Sequence, residues 1–355
     1  MTFNCRIIVC LILMPLLAGL ALPTAAATPV LRVLAWPGYV EPEVIEEFQK
    51  RHKVSVEVTV VDNDDTLLEK MRIGAGSGSG NFDLVAANTA EISRYAGAGW
   101  LQPIALNDIP ARAGQAPRFL DYAGLPGLMQ GGRVYGIPFT YAEMGLIYDR
   151  KAFVQPPDSI AVLWDERYRK KVLAFNGSSH NFSLAALRLG RPSPFNLAER
   201  DWPLAVDQLI ALRRNVLVFY TQPEESADLF IRHKAVLMYA NYGRQQLKLL
   251  TDRHADVGYV IPAEGALAWL DCWAITRGAG NVRLAHAFID HMLGATASRL
   301  LESRQGLSST KKAISMPAGK ERQLHWLMPV ENAEERTRLW QRILSGDTRN
   351  RVLQP

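Results

Sequence analysis

Apolar positions along the chain fall into short runs that switch between two periods. Val30–Ala35 sets Leu31, Val33 and Ala35 on one side and predicts a strand. Pro42 then sits near a helix start, and Val44, Ile45 and Phe48 form an apolar stripe at helical spacing. Val54–Val61 is β-branched and strand-like. Thr66–Ile73 carries Leu67, Leu68 and Met71 on one helical side. Phe82–Ala86 reads as a short buried strand and Ile92–Ala98 as a helix. Beyond Arg150 the pattern resumes, with strands near Val172–Phe175, Val216–Phe219, Val236–Tyr239 and Gly258–Ile261. Helices are predicted near Ser183–Leu189, Pro203–Leu212 and Glu225–Arg232, after a cap at Asn281, and over Ala333–Leu344. Alternating strands and helices favour mostly parallel sheets with helices on both faces, so the fold class is α/β.

One run departs from this pattern. Ile7–Leu20 is continuously apolar, follows the single positive charge of Arg6, and precedes small residues up to Ala27. That order predicts a secretory signal peptide over residues 1–27, too short for a membrane span. No Cys stands at the cleavage point, which argues against a lipoprotein anchor. Cleavage removes Cys5 and Cys10 and leaves Cys272, so no intrachain disulfide is expected.

The chain has 355 residues, enough for about two domains. Its net charge of +5 comes from 40 Lys and Arg against 35 Asp and Glu, without a basic block. Nucleic-acid binding is therefore not expected. The glycine run Gly74–Gly80 lacks the Lys-Ser/Thr of a phosphate loop and follows a helix instead of a strand, so it reads as a surface turn. No His-x-x-x-His pair and no Gly-x-Ser-x-Gly elbow occurs. Ser178-Ser179-His180 reads as a solvated turn. Without a catalytic constellation, an enzyme is not expected, nor is a metal or cofactor.

Aromatic residues gather where strands end. Trp36-Pro37-Gly38-Tyr39 follows the first strand, Tyr239-Ala240-Asn241-Tyr242 ends another, and Trp269-Leu270-Asp271 lies beyond the strand at Gly258–Ile261. Ligands of open α/β sheets bind beyond strand carboxyl ends. Aromatic faces with a carboxylate suit an organic ammonium ion.

These residues carry a resemblance. The chain resembles the periplasmic spermidine/putrescine-binding proteins, the solute-binding components of polyamine ABC transporters. Its markers are Trp36-x-x-Tyr39, Phe82-Asp83-Leu84-Val85, Tyr135-Gly136-Ile137-Pro138-Phe139, Leu163-Trp164-Asp165 with Tyr168, and Pro262-Ala263-Glu264-Gly265 before Trp269 and Asp271. Arg336-Thr337-Arg338 with Trp340 is similar to the putrescine-type members.

The resemblance implies a two-lobed fold with the ligand cleft between lobes joined by crossing strands. Lobe one would be 28–138 plus 272–316, and lobe two 139–271 plus 317–355. It also implies a ligand site of Trp36, Tyr39, Asn88, Thr89, His180, Tyr239, Tyr242, Trp269 and Asp271. The partners would be a small organic amine and an inner-membrane ABC permease, with the protein a periplasmic monomer. A sensory protein presenting its closed form to a membrane receptor is the alternative.

Several family positions differ. Pro37 and Gly38 replace a hydroxyl residue and an acid, His180 stands at a usual Glu, Tyr242 at an Asp and Leu307 at a Tyr. One carboxylate, Asp271, would then face a dication. On that count ordinary putrescine or spermidine should bind weakly, and a ligand with one ammonium and a neutral or anionic far end should fit better. Glu91 and Glu143 are the carboxylates that could restore the missing charge. Tyr239 and Tyr242 also resemble the tyrosine ligands of iron-binding relatives.

Overall fold

The computed structural model describes residues 28–76, 81–313 and 323–354. The expected signal peptide and part of the glycine run lie outside the described residues.

In chain order the strands are β1 (Val30–Ala35), β2 (Ser55–Val60), β3 (Leu84–Asn88), β4 (Leu101–Gln102), β5 (Met129–Gln130), β6 (Arg133–Val134), β7 (Ile137–Glu143) and β8 (Leu146–Asp149). They continue as β9 (Val172–Phe175), β10 (Val216–Tyr220), β11 (Leu237–Tyr239), β12 (Val257–Val260), β13 (Ala266–Thr276), β14 (Ser308–Ser309) and β15 (Leu324–Trp326). The helices are α1 (Pro42–His52), α2 (Asp64–Gly76), α3 (Thr89–Gly97), α4 (Pro117–Leu120), α5 (Ser178–Arg188) and α6 (Trp202–Asn215). After these come α7 (Pro223–Arg232), α8 (Arg244–Asp252), α9 (Val282–Met292), α10 (Ala295–Gln305), α11 (Ala333–Leu344) and α12 (Arg349–Val352).

Two principal sheets organise these elements. The first runs β14-β7-β13-β3-β1-β2, with β4 and β15 pairing along β13. Its β1 is parallel to β2 and β3, whereas β13 is antiparallel to β3 and β7. The second runs β10-β9-β11-β8-β12, with β9 parallel to its two neighbours and β8 antiparallel to its own. Each sheet is the core of one lobe. The α/β expectation holds, with an antiparallel component that the alternation did not suggest.

The chain changes sheets where antiparallel strands lie side by side. The first crossing is Met144–Gly145, between β7 and β8, and the second is the turn between β12 and β13. Tyr259 braces both: its hydroxyl donates to Glu143 O at 2.8 Å and accepts from Gly145 N at 3.1 Å. A Cβ at Gly145 would stand 2.5 Å from the Tyr259 ring, so only glycine fits beneath that phenol. Glu143 pairs with Arg244 at 3.0 Å, and Arg244 lies over the Tyr259 ring.

Several elements differ from the sequence pattern. Trp269–Asp271 is not a loop beyond a strand: it lies inside β13, and every residue of that strand is buried. A strand covered on both faces shows no period-two alternation, which is why β13 and the wholly buried β7 escaped the pattern. β3 starts two residues later than expected. Asp83 spends its carboxylate on the amides of Arg32 and Gly280, both at 2.7 Å. α5 starts at Ser178, so Ser178-Ser179-His180 is a buried first helical turn instead of a solvated one.

A buried cation fixes α5 to the C-terminal tail. Arg336 is fully buried. It donates to Glu331 at 3.0 and 2.8 Å, and to Ser179 O and Ser183 Oγ at 2.9 Å. Removing one partner of a buried ion pair leaves the other uncompensated. Replacing Arg336 with Met is expected to cost about 3–5 kcal/mol in urea unfolding. A loss below about 1 kcal/mol, the scale of an exposed pair, would contradict this tether.

Candidate functional site

The cleft between the two sheets is built mostly from strand ends and helix starts. β1 ends in a tight turn, with Tyr39 N donating to Trp36 O at 3.3 Å and Gly38 at φ +78°. A side chain at position 38 would run into Gln305, which accounts for glycine at a position where the family carries an acid. The turn aims Tyr39 at β13, where its hydroxyl donates to Asp271 Oδ2 at 2.6 Å. Trp269 lies two residues earlier on β13 and its ring tilts against Tyr39 at 6.5 Å.

The second lobe supplies the opposite wall. Phe175 ends β9, and Asn241 and Tyr242 follow β11. His180 projects from the first turn of α5. Trp269 Nε1 donates across the cleft to Asn241 O at 2.9 Å. The space between the walls is about 30 Å³, room for one or two waters and too little for an organic amine.

The structure supplies a second carboxylate that sequence reasoning missed. Asp64, at the start of α2, reaches into the same cleft as Asp271. It accepts from Asn88 Nδ2 at 3.1 Å, and its Oδ2 lies 3.3 Å from His180 Nε2. The expectation of one lone carboxylate is therefore corrected. Asp64 stands just ahead of the helix expected over Thr66–Ile73, where an acidic residue is ordinary, and only the tertiary fold turns it toward Asp271. Of the two carboxylates expected to restore charge, Glu143 is engaged by Arg244 at the crossing, and Glu91 lies in an adjoining recess.

Among the other expected residues, Trp36, Tyr39, Asn88, His180, Tyr242, Trp269 and Asp271 come together around the cleft. Two do not line it. Thr89 turns its hydroxyl to Leu327 O at 3.1 Å, and Tyr239 is packed inside the second lobe with its hydroxyl on Met144 Sδ at 3.5 Å. Their positions next to cleft residues on the chain were not enough: Thr89 is the first residue of α3 and turns away from the cleft, and Tyr239, the last residue of β11, points into its own lobe. Tyr242 gives its hydroxyl to Thr221 O at 2.7 Å and lies near Asp62 O at 3.3 Å, so Tyr239 and Tyr242 do not converge as a ligand pair.

Electrostatically the cleft favours a cation. None of the described residues lining it is Lys or Arg. Burial raises Asp271 to about 8, despite the opposing Tyr39 hydrogen bond, and Asp64 adds to the rise. Burial and the neighbouring Asp65 raise Asp64 to about 7, against Arg94 and the Asn88 hydrogen bond, which act to lower it. Burial lowers His180 to about 4, so it is a neutral imidazole at pH 7 and does not serve as their counter-charge. Asn241 Oδ1, a buried acceptor facing the same space, has no hydrogen-bond partner among the described residues. Two carboxylates, a spare carbonyl and aromatic walls are groups that complement an ammonium on an apolar stem.

The raised carboxylates set a sign for pH dependence. A carboxyl whose folded pKa exceeds its unfolded value of about 3.9 adds stability that is complete below that value and is lost as pH climbs through the folded one. For Asp271 that window runs from about 4 to about 8. Without ligand, the melting temperature is expected to fall between pH 5 and 8 by more in the wild type than in Asp271→Asn. The difference should be at least roughly 2–4 °C, the scale of 1 kcal/mol in a domain of 150–250 residues. Parallel pH profiles would show that Asp271 titrates normally.

Comparison with known proteins agrees with this geometry. Residues 43–323 match the family described as bacterial extracellular solute-binding protein. A spermidine/putrescine-binding periplasmic protein of Haemophilus influenzae is 26% identical over 279 residues, covering 78% of this chain and 74% of the relative. The norspermidine sensor of Vibrio cholerae is 22% identical over 313 residues, covering 86% and 79%. The crystal structure of the TpPotD lipoprotein of Treponema pallidum superposes with a TM-score of 0.73 at 17% identity, covering 89% of this chain and 98% of that one. No helix among the described residues is long and apolar enough to cross a membrane. The lobes, the cleft and the family match agree: the chain belongs to the bacterial extracellular solute-binding proteins.

Proposed function

We propose that this protein captures a polyamine or related organic amine by closing its lobes and delivers it to an inner-membrane ABC permease. The observation that carries this reading is the pair Asp271 and Asp64 in an aromatic cleft lined by no Lys or Arg among the described residues. A bound ammonium would supply the missing cation. The names of the relatives support the polyamine class. Asp64 removes the reason to favour a ligand with a single ammonium, because a dication now meets two carboxylates.

Closure follows from how the site is divided. By sheet membership, Asp271 and Asp64 both belong to the first lobe, so we move the lobe division from 138/139 and 271/272 to the crossings at 144–145 and 261–265, and from 316/317 to the stretch after β15 (Leu324–Trp326), which pairs with β13. The first lobe then holds the carboxylates, and the second brings Phe175, His180, Asn241 and Tyr242 over them. A ligand drives closure only through contacts that exist in the closed state alone, and the second-lobe wall provides them. Asp65 accepts from Thr337 Oγ1 at 3.1 Å and from Ser178 Oγ at 3.3 Å, which joins the lobes at the mouth. The same closed form would suit a membrane receptor, and the similarity to a norspermidine sensor keeps that second reading. We further infer export through the signal peptide at 1–27, a periplasmic location, a monomer and no catalysis.

Isothermal titration with putrescine, spermidine and norspermidine tests the reading. Micromolar or tighter binding is expected, with proton release near pH 7 because amine binding ionises the raised carboxyls. Asp271→Asn should weaken it at least roughly tenfold through loss of a charged hydrogen bond. No detectable binding of any amine would overturn the proposal.

A further inference from the structure

The cleft does not end at Asp64. Behind it lies a second, smaller recess of about 20 Å³. Asp64, Asn88, His180 and Leu327 line both chambers and form the partition between them. Leu327 is fixed in place: its amide donates to Ala268 O at 2.8 Å, and its carbonyl accepts from Thr89 at 3.1 Å. The movable part of the partition is the contact between Asp64 on the first lobe and His180 on the second. It separates when the lobes do.

Glu91 faces the outer chamber from the first turn of α3. Its side chain is 8% exposed. Its backbone amide is already satisfied by Asn88 Oδ1 at 3.1 Å, so the carboxylate is not needed to cap the helix. The cation it meets is Arg94, 3.3 Å away at i,i+3 and 30% exposed. That partner does not fully offset burial, which with Asp64 and Asp65 nearby raises Glu91 to about 7, while Arg94 and Tyr95 act to lower it. Beyond Arg94 the outer chamber opens into a groove of about 1070 Å³. Six carboxylates line the groove, Asp64 and Glu91 among them, against Arg72, Arg94 and Arg338, and although Glu69 pairs with Arg72 and Glu331 with Arg336 the lining keeps an acidic excess on a chain of net charge +5.

We propose that Glu91 forms a second cation subsite beyond the Asp64–His180 partition, open to the acidic groove, so that the protein accepts extended amines with ammonium groups at both ends and does not enclose the far end. This rests on the amine-binding reading and names the shape of ligand within it. One ammonium sits between Asp271 and Asp64, the His180 side chain turns aside from Asp64 to let the stem pass as the lobes close, and the second ammonium takes the place of the Arg94 guanidinium, which swings into the groove. A site open at one end sets a minimum ligand length and no maximum.

Titrating the full-length mature protein with butylamine and with propane-, butane-, hexane-, octane- and decanediamine tests this directly. Affinity is expected to climb once the second ammonium reaches Glu91 and then to stay level as the chain lengthens. Glu91→Gln should remove that climb, weakening the long diamines about tenfold and leaving butylamine unchanged. Arg94→Gln should move the long diamines the opposite way, because the competing guanidinium is gone. Affinity that peaks at one length and then falls, or a length profile unchanged in both variants, would overturn the proposal while leaving amine capture intact. Failure of every amine to bind the wild type would instead remove the amine-binding reading and this inference with it.

Discussion

A carboxylate taken out of water needs a cation, and this cleft holds two carboxylates without one of its own. Moving an ionised group into apolar surroundings is costly, and the usual response is to keep its proton. Asp271, buried between Tyr39 and Trp269, does so until about pH 8. The neighbouring histidine cannot help, because the same burial keeps it neutral. The aromatic walls, the spare Asn241 carbonyl and the position of Asp64 acquire a shared purpose once a ligand ammonium supplies the charge.

The two-sheet architecture makes that arrangement reversible. Both carboxylates stand on the first lobe, on β13 and at the start of α2. The second lobe contributes the cover that desolvates them. Opening about the crossings at 144–145 and 261–265 returns the carboxylates to water, where they ionise readily and meet a cation. Closing over the cation removes the water and strengthens the attraction. Tyr259 and Gly145 hold the crossing together, and Arg336 ties α5 to the tail so that His180 moves as part of a rigid wall. The latch of Asp65 with Ser178 and Thr337 then closes the mouth.

Much of the fold was legible in the sequence, because alternating and helical periods mark elements that are buried on one side. β1, β9 and α11 match their apolar patterns residue for residue. The central strands β7 and β13 were hidden for the opposite reason: covered on both faces, they have no period. That omission also displaced Asp271 and Trp269 into a supposed loop. In the site, the aromatics and Asp271 stood out by their positions near strand ends. Asp64 did not, because Asn63-Asp64-Asp65 reads as a helix start, and Asn63 does cap Thr66 at 2.8 Å. Its second role depends on its contacts with Asn88 at the end of β3 and His180 on α5, which no local pattern records. Tyr239 and Thr89 erred the other way: right segment, wrong face.

Asp271 meets no cation until an amine arrives, and Asp64 feels only Arg94, which does not offset its burial. Carbon-detected NMR of their carboxyl groups across pH reads this directly. Both are expected to titrate near pH 7–8 in the closed, ligand-free protein and to fall below about pH 5 when putrescine is bound, as a charge-paired carboxylate does. Titration near the ordinary value of about 4 in both states, unmoved by amine, would contradict it.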